Sequence, residues 1–360
     1  MYGAILEGSV LNNVKRIALT AVLLLFAAAA LLPLDMYIQK PGGAYELSPL
    51  VEVKGGDSDD EGSLSLMTIA LSKATPLTYA VSGLMDSRKI MKAGQVRRDG
   101  ESEEEYNLRQ LQLMEDSQIN AIYVAYNRAG KPVTLETEGV IVLDVVEGSA
   151  ADGNLKAGDL ITGVEGEPVV SSDGFAEMVA SVPTGDSIRL SILRDDEEME
   201  EEISPGTIPG TGGRKGLGVS YAAKRMIETD PEVEIETEDI GGPSAGLMFT
   251  LEIMNQLMDE DLTKGYRVAG TGEMNEDGTV GRIGGIDFKV MAADREDIEI
   301  FFAPDDEITD EMRERIPGIR SNYETAAETA EKIGTDMKIV PVKTIDDALD
   351  YLEALNTKRK

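Results

Sequence analysis

The stretch 239–258 constrains the fold of this chain most, because a glycine-rich turn there runs directly into an apolar helix. Gly241 and Pro243 force a tight turn, and residues without a Cβ let backbone N–H groups come close to a ligand. Apolar residues then recur at helical spacing and predict a buried helix: Leu247, Leu251, Met254 and Met258. Ser244 lies at the head of that helix.

Ser244 has two interpretations. A hydroxyl at the start of a helix often does no more than cap the first turn. The same position also suits a nucleophile, because the turn residues Gly242 and Ala245 offer N–H groups that would stabilise an oxyanion. This stretch alone leaves both interpretations open.

The amino acids that are missing from the sequence limit the types of catalytic and metal site that the chain can form. The 360 residues include no histidine and no cysteine. This excludes a Ser–His–Asp triad, a cysteine nucleophile, a disulfide, and zinc held by either residue. We therefore expect no metal and no cofactor. If Ser244 is a nucleophile, its base must be a lysine, a carboxylate or a terminal amine.

The net charge is −33 and the isoelectric point is about 4.3. A surface this acidic repels nucleic-acid phosphates and anionic lipid headgroups. We expect no nucleic-acid partner.

Residues 17–34 are almost wholly apolar and would extend roughly 27 Å as a helix, about the thickness of a bilayer core. Lys15 and Arg16 precede this segment, so the positive-inside rule places residues 1–16 in the cytoplasm and the rest outside. A cleaved signal peptide is the alternative, since the small residues at 27–30 could support cleavage. Apolar sequence continues beyond them, which favours a single-pass membrane anchor.

Residues 35–130 form a membrane-proximal linker followed by strand and helix patterns. Residues 63–71 have the pattern of a strand. Ser102 and Glu105 have capping-box spacing, and the apolar periodicity after them predicts a helix up to Gly130. No function follows from this region.

Residues 131–204 change to short strands and turns. The run Val140–Leu143, the segment Lys156–Ile161 and a helix near 173–182 resemble a bacterial PDZ domain in order and spacing. The resemblance implies that a peptide adds as a strand beside Gly139, Val140 and Ile141. A small β-rich domain with only a packing role is the alternative. A Gly- and Pro-rich joint follows at 205–218, with no P-loop spacing.

Residues 219–355 alternate strand and helix patterns, which predicts an α/β or α+β domain. Within it, Lys289 follows Gly284–Gly285 and stands among apolar residues near the start of a helix. Burial and the helix dipole would both favour the neutral amine, which could take a proton from a hydroxyl. The alternative is a lysine whose stem covers apolar surface while its ammonium reaches water.

Three segments together resemble the proteolytic domain of Lon-type serine peptidases: residues 241–246 (Gly-Gly-Pro-Ser-Ala-Gly), 270–273 (Gly-Thr-Gly-Glu), and Gly284–Gly285 with Lys289. The resemblance implies that Ser244 is the nucleophile, Lys289 the general base and Thr271 the residue that orients the lysine. ATP-dependent members carry an acid three residues before the serine. This chain has Gly241 there, and its nearest acid is Asp239.

With the anchor and the PDZ unit, the chain resembles the membrane-anchored PDZ–Lon-type (S16-like) proteases of Gram-positive bacteria. The fold we expect is multidomain, with a transmembrane helix, a β-rich PDZ domain and an α/β Lon-type domain. The expected activity is ATP-independent cleavage of peptides or partly unfolded proteins outside the cytoplasm, with a Ser–Lys dyad. A membrane-tethered peptide-binding adaptor with an inactive protease-like domain is the alternative. A homo-oligomeric ring is expected by analogy only.

Overall fold

The computed structural model describes residues 19–21, 29–57, 61–98, 100–183, 185–237, 240–258 and 260–358. The predicted cytoplasmic N-terminus and most of the predicted anchor lie outside these ranges. No helix within them is long and apolar enough to cross a bilayer. The chain divides into two compact units, Met1–Gly42 with Ile69–Asp99, and Gly43–Thr68 with Gly100–Lys360.

The elements up to residue 98 include β3 (Ser63–Lys73), the strand that the sequence predicts at 63–71. They are β1 (Met36–Glu46), β2 (Val51–Val53), β3 (Ser63–Lys73), α1 (Pro76–Ser82) and β4 (Lys89–Lys92). In the first unit, Met36–Gln39 of β1 pair antiparallel with β4. Helix α1 begins at Pro76 because Thr75 and Thr78 form a capping box.

The second unit begins with a long helix and a β-rich region. Its elements are α2 (Glu103–Ala129), β5 (Val133–Val145), β6 (Leu160–Val164), β7 (Glu167–Pro168), α3 (Ser172–Ala180), β8 (Ile188–Arg194), β9 (Glu197–Ile203), β10 (Gly206–Thr207), β11 (Lys215–Gly216), β12 (Val219–Thr229) and β13 (Val233–Ile235). The predicted capping box of α2 is confirmed, with Ser102 Oγ accepting from the Glu105 N–H. Gly130 ends α2 in the left-handed conformation.

The β-rich region is an antiparallel sheet in the order β12–β5–β6–β8–β9, with α3 beside it. One apolar core holds it together, which includes Val142, Ile161, Phe175 and Leu190. Strand β12 pairs with β5 along its whole length. The sequence pattern groups residues from 219 onward with the protease domain. Hydrogen bonding instead places 219–229 in this sheet, a pairing across more than 70 residues that no local pattern encodes.

The C-terminal region alternates helices and strands as the sequence predicts. Its elements are α4 (Gly246–Leu257), β14 (Arg267–Gly270), β15 (Glu273–Met274), β16 (Val280–Gly281), α5 (Ile286–Arg295), β17 (Ile300–Pro304), α6 (Asp310–Arg315), α7 (Asn322–Ile333), β18 (Lys338–Val342) and α8 (Ile345–Glu353). The short helix α6 is an addition to the prediction.

Within the second unit, β18, β17, β14 and the start of β3 form a parallel sheet in that order. Neighbouring side chains of β17 point to opposite faces, so Phe302 packs with α2, α4 and α8 while Phe301 packs with α5 and α7. Helices therefore cover both faces. The carboxyl end of β14, where α4 and α5 meet the sheet from opposite faces, is the place where such sheets bind ligands.

Candidate active site

Ser244 follows the glycine turn and precedes α4, as predicted. The helix cap is Ala245, whose side chain cannot accept a hydrogen bond, so Ser244 does not cap the helix. Gly242 has φ +92°, a conformation that a glycine adopts without strain. Because Gly246 has no side chain, the start of α4 can lie against Met274: a Cβ at position 246 would be 2.8 Å from the Met274 backbone nitrogen. The serine hydroxyl is thus left for another partner.

That partner is Lys289. Its Nζ lies 2.7 Å from Ser244 Oγ and 2.9 Å from Thr271 Oγ1. Lys289 stands in the first turn of α5, which begins after Gly285 in the left-handed conformation. The side chain is only 2% exposed. The alternative of an ammonium that reaches water is therefore wrong, because the amine ends inside the domain.

Burial changes the protonation of this amine. Desolvation lowers the pKa of Lys289 from 10.5 to about 7, because an apolar interior disfavours the ammonium form. No carboxylate of the described residues pairs with Nζ, so removal from water is the dominant cause. A neutral amine within hydrogen-bonding distance of a serine hydroxyl can accept its proton.

Thr271 hydrogen-bonds to both Ser244 and Lys289. It is fully buried and directly follows β14. Its hydroxyl donates to the Ser244 carbonyl oxygen at 2.8 Å, which leaves an oxygen lone pair to accept an N–H from Lys289. The N–H of Gly272 donates to the same carbonyl at 2.9 Å. The lone pair of the amine is thereby left for the serine hydroxyl.

Helix α2, for which the sequence predicts no function, hydrogen-bonds to the turn before Ser244. The Gly242 N–H donates to the Gln110 carbonyl oxygen at 2.9 Å, and the buried Ser117 hydroxyl donates to the Pro243 carbonyl oxygen at 2.8 Å. The predicted role of Gly242 as an oxyanion donor is therefore corrected, because its N–H is already used by α2. Gly242 shapes the turn, and Ala245 remains the predicted donor.

Gly241 lies where the ATP-dependent enzymes have an acid. A Cβ at this position would lie 2.8 Å from Gln110 Cβ, so α2 occupies the space that an acidic side chain would need. Asp239 lies outside the described residues. The close approach of α2 thus explains physically why glycine stands at position 241.

The predicted peptide-facing residues of the β-rich region are also corrected. Val140 pairs with Ala223 of β12 on one side and with Ile161 of β6 on the other, and Ile141 is paired in the same way. A Cβ on Gly139 would lie 2.3 Å from the Ile161 carbonyl oxygen. No backbone of 139–141 is left at a sheet edge, so a peptide cannot add there.

Strand β12 instead lies at one edge of this sheet among the described residues, and β9 lies at the other. Helix α3 packs beside it, with the Phe175 and Tyr221 rings edge to face at 4.9 Å. The loop before β12 is close-packed, because a Cβ on Gly218 would lie 2.2 Å from Ser149 Cβ. The sequence feature that could have indicated this peptide edge is the segment 216–219, in which glycines alternate with apolar residues where an extended strand begins. The prediction instead places residues up to 218 in a joint between domains.

Two family models match separate parts of the chain. Residues 114–204 match the model of the PDZ domain, and residues 237–355 match that of the Lon protease (S16) C-terminal proteolytic domain. The chain therefore contains a PDZ domain followed by a Lon-type proteolytic domain. Ser244, Thr271 and Lys289 all lie within the second match.

Individual relatives match only part of the chain. A probable periplasmic serine endoprotease, DegP-like, from Pseudomonas putida is 33% identical over 88 residues, which is 24% of this chain and 18% of that protein. The one from Halomonas elongata is 32% identical over 84 residues, 22% of this chain and 18% of that protein. The chain thus spans about a fifth of the length of these curated relatives.

Among solved structures, the PDZ domain of an SdrC-like protein from Listeria innocua is 34% identical, covering 23% of this chain and 92% of that domain, with a TM-score of 0.22. The corresponding domain from Listeria monocytogenes is 30% identical, covering 23% of this chain and 87% of that domain, with a TM-score of 0.22.

Proposed function

We propose that this protein is an ATP-independent serine endopeptidase with a Ser244–Lys289 dyad. The observation that carries the proposal is the 2.7 Å distance between a buried lysine amine and the serine hydroxyl. The sequence contains no P-loop, so no ATP-driven unfolding step is part of the proposal. The substrates are peptides or partly unfolded proteins.

The dyad can perform acyl transfer with its protons balanced. Ser244 Oγ attacks the carbonyl carbon of the scissile bond while Lys289 Nζ takes the hydroxyl proton. The Ala245 N–H stabilises the oxyanion, and Nζ then gives the proton to the leaving amine as the C–N bond breaks. Water attacks the acyl-enzyme with Lys289 again as base, which releases the second product and restores Ser244. Thr271 keeps Nζ aimed at Oγ throughout.

The proposal is tested with the full-length protein in detergent micelles. Casein should be cleaved without nucleotide, and a serine-reactive phosphonate should add one adduct, which peptide mapping places on Ser244. The Ser244→Ala variant should take up no adduct at this peptide. A folded protein that neither cleaves casein nor reacts with the phosphonate would favour the alternative, a peptide-binding adaptor.

The PDZ domain supplies substrate recruitment in this proposal. The peptide pairs with the edge of β12 and lies between this strand and α3, where main-chain hydrogen bonds extend the sheet. Anchoring through residues 17–34, with the PDZ and protease domains outside the cytoplasm, and assembly into a ring complete the proposal. These features rest on the sequence pattern and on analogy.

Hydrogen exchange distinguishes the two candidate peptide edges. The Ser244→Ala protein, which cannot consume peptides, is mixed with pooled short peptides that have free carboxyl ends. When the free peptide concentration is ten times the dissociation constant, amide exchange in 217–225 should slow roughly tenfold. Exchange in 139–141 should not change, because these residues are already paired. Protection confined to 139–141 would restore the original assignment of the peptide site.

A further inference from the structure

The first unit differs from the rest of the chain in charge. The whole chain carries −33, yet residues 69–98 contain six basic residues and one aspartate. The basic residues are Lys73, Arg88, Lys89, Lys92, Arg97 and Arg98. Lys89 and Lys92 are exposed at the two ends of β4. An anionic partner is therefore attracted locally to a protein whose overall charge repels it.

The same unit also exposes large apolar side chains. Leu84, directly after α1, is 89% exposed. The same unit has further exposed apolar residues, some close to Leu84 in the sequence and two near residue 31: Leu31, Leu32, Leu77, Tyr79, Val81 and Met85. Single exposed apolar residues are ordinary on a protein surface, but a concentration of them beside basic residues is typical of an interaction surface.

Backbone hydrogen bonds bring these residues together. The Leu77 N–H donates to the Ala30 carbonyl oxygen at 3.3 Å, and the Leu34 N–H donates to the Ala74 carbonyl oxygen at 2.7 Å. The start of α1 therefore lies against residues 30–34, the last part of the apolar stretch 17–34. Helix α1 also contacts β4, which carries the two exposed lysines. We call residues 77–92 of this unit the basic apolar surface.

We propose that the basic apolar surface binds an anionic lipid bilayer, with its apolar side chains in the headgroup region and its lysines against lipid phosphates. Three observations favour this partner: the positive local charge, the exposed apolar side chains, and the hydrogen bonds to residues 30–34 at the end of the apolar stretch. A second copy of the unit would bring like charges together. The inference goes beyond the proposed peptidase, since such binding requires neither catalysis nor insertion of residues 17–34.

The absence of native cysteine allows a direct test in the full-length protein. A nitroxide on Leu84→Cys reports whether this position contacts lipid. The matched control is Val170→Cys, an exposed apolar position at 65% exposure among acidic residues 165, 167 and 173. With phosphatidylglycerol vesicles, the label at 84 should become more accessible to oxygen and at least tenfold less accessible to a water-soluble nickel complex. The label at 170 should stay in water.

The variant Lys89→Gln/Lys92→Gln tests the charge. It should lower the equilibrium constant for lipid contact at position 84 by about 30-fold in phosphatidylglycerol vesicles, and phosphatidylcholine vesicles should have a similar effect on the unsubstituted protein. Equal nickel accessibility at 84 and 170 in phosphatidylglycerol vesicles would overturn the proposal. The proposal would also be overturned if, without vesicles, the label at 84 became less accessible as the protein concentration increased. That result would indicate that a second copy of the chain covers this position. Resistance to carbonate extraction reports separately on the anchor, and casein cleavage on the peptidase.

Discussion

Replacing Lys289 with methionine should reduce peptidase activity by about 10⁴-fold or more and at the same time stabilise the protein. Activity falls because Ser244 loses the amine that lies 2.7 Å from its hydroxyl, and no other base of the described residues is placed to take the proton. Methionine has a similar length without a group that must be desolvated. Casein cleavage and urea unfolding of the same preparations measure the two effects.

The gain in stability follows from the pKa of the lysine. Its folded-state pKa is about 7 and its ordinary value is 10.5, so the unfolded chain binds more protons between these values and stability rises with pH there. At pH 7 the buried amine costs about 4 kcal/mol of unfolding free energy. The methionine variant should recover about that amount at pH 7 and progressively less as pH approaches 10.5.

Matched variants separate the dyad from general effects of losing a lysine. Lys343→Met removes an exposed lysine whose Nζ lies 3.4 Å from an Asp305 carboxylate oxygen. This change should alter the free energy of unfolding by less than about 0.5 kcal/mol and leave the activity intact. Thr271→Ser keeps the hydroxyl that orients Nζ, whereas Thr271→Val removes it and should cost about 10²-fold through misplacement of the amine. An active Lys289→Met protein would exclude the lysine as base.

The pH profile of kcat/KM should rise about tenfold between pH 5 and pH 6, less steeply around pH 7, and level off near pH 8. Only the neutral amine can accept the serine proton, and the fraction of neutral Lys289 grows with pH until it passes its pKa of about 7. The rise from pH 5 to the plateau is therefore about 100-fold. Initial rates on a fluorogenic peptide, at substrate concentrations well below KM, give this profile directly.

Glu273 is the control for this profile, because it lies two residues after Thr271. Burial, with a smaller effect from the charge of Asp116, raises the pKa of Glu273 above its ordinary value. Glu273→Gln should leave the rise around pH 7 in place if Lys289 is the titrating group. A profile that is flat across pH 5–8, or that loses its rise in this variant, would contradict the assignment to Lys289.

Local sequence was sufficient to select the residues of the candidate site and most elements of the Lon-type domain. Ser244 follows a glycine turn, Thr271 follows Gly270 at the end of β14, and Lys289 lies in the helix after Gly285. The structure brings their side chains within hydrogen-bonding distance. Helices α4 and α5 begin after Ser244 and Gly285, where the glycines and the apolar periodicity predict them. Such features depend on neighbours three or four residues away, which is why the sequence encodes them visibly.

The errors have a common physical origin. The resemblance to PDZ domains predicts a peptide beside Gly139–Ile141, but β6 and β12 pair with both sides of that strand. Gly242 was assigned to the oxyanion site because it lies beside Ser244, but Gln110 of α2 takes its N–H. In both cases the deciding partner is distant in the chain and is selected by packing.

By itself, then, the sequence determined which chemistry is possible: without histidine or cysteine, a serine in a glycine turn can be activated by a lysine, and a helix places that lysine in an apolar environment. Only the tertiary structure decided that the amine is out of water and within 2.7 Å of the hydroxyl, and that β12 rather than β5 has an open edge. The reason is that desolvation and strand pairing depend on groups from remote segments that meet only when the chain has folded.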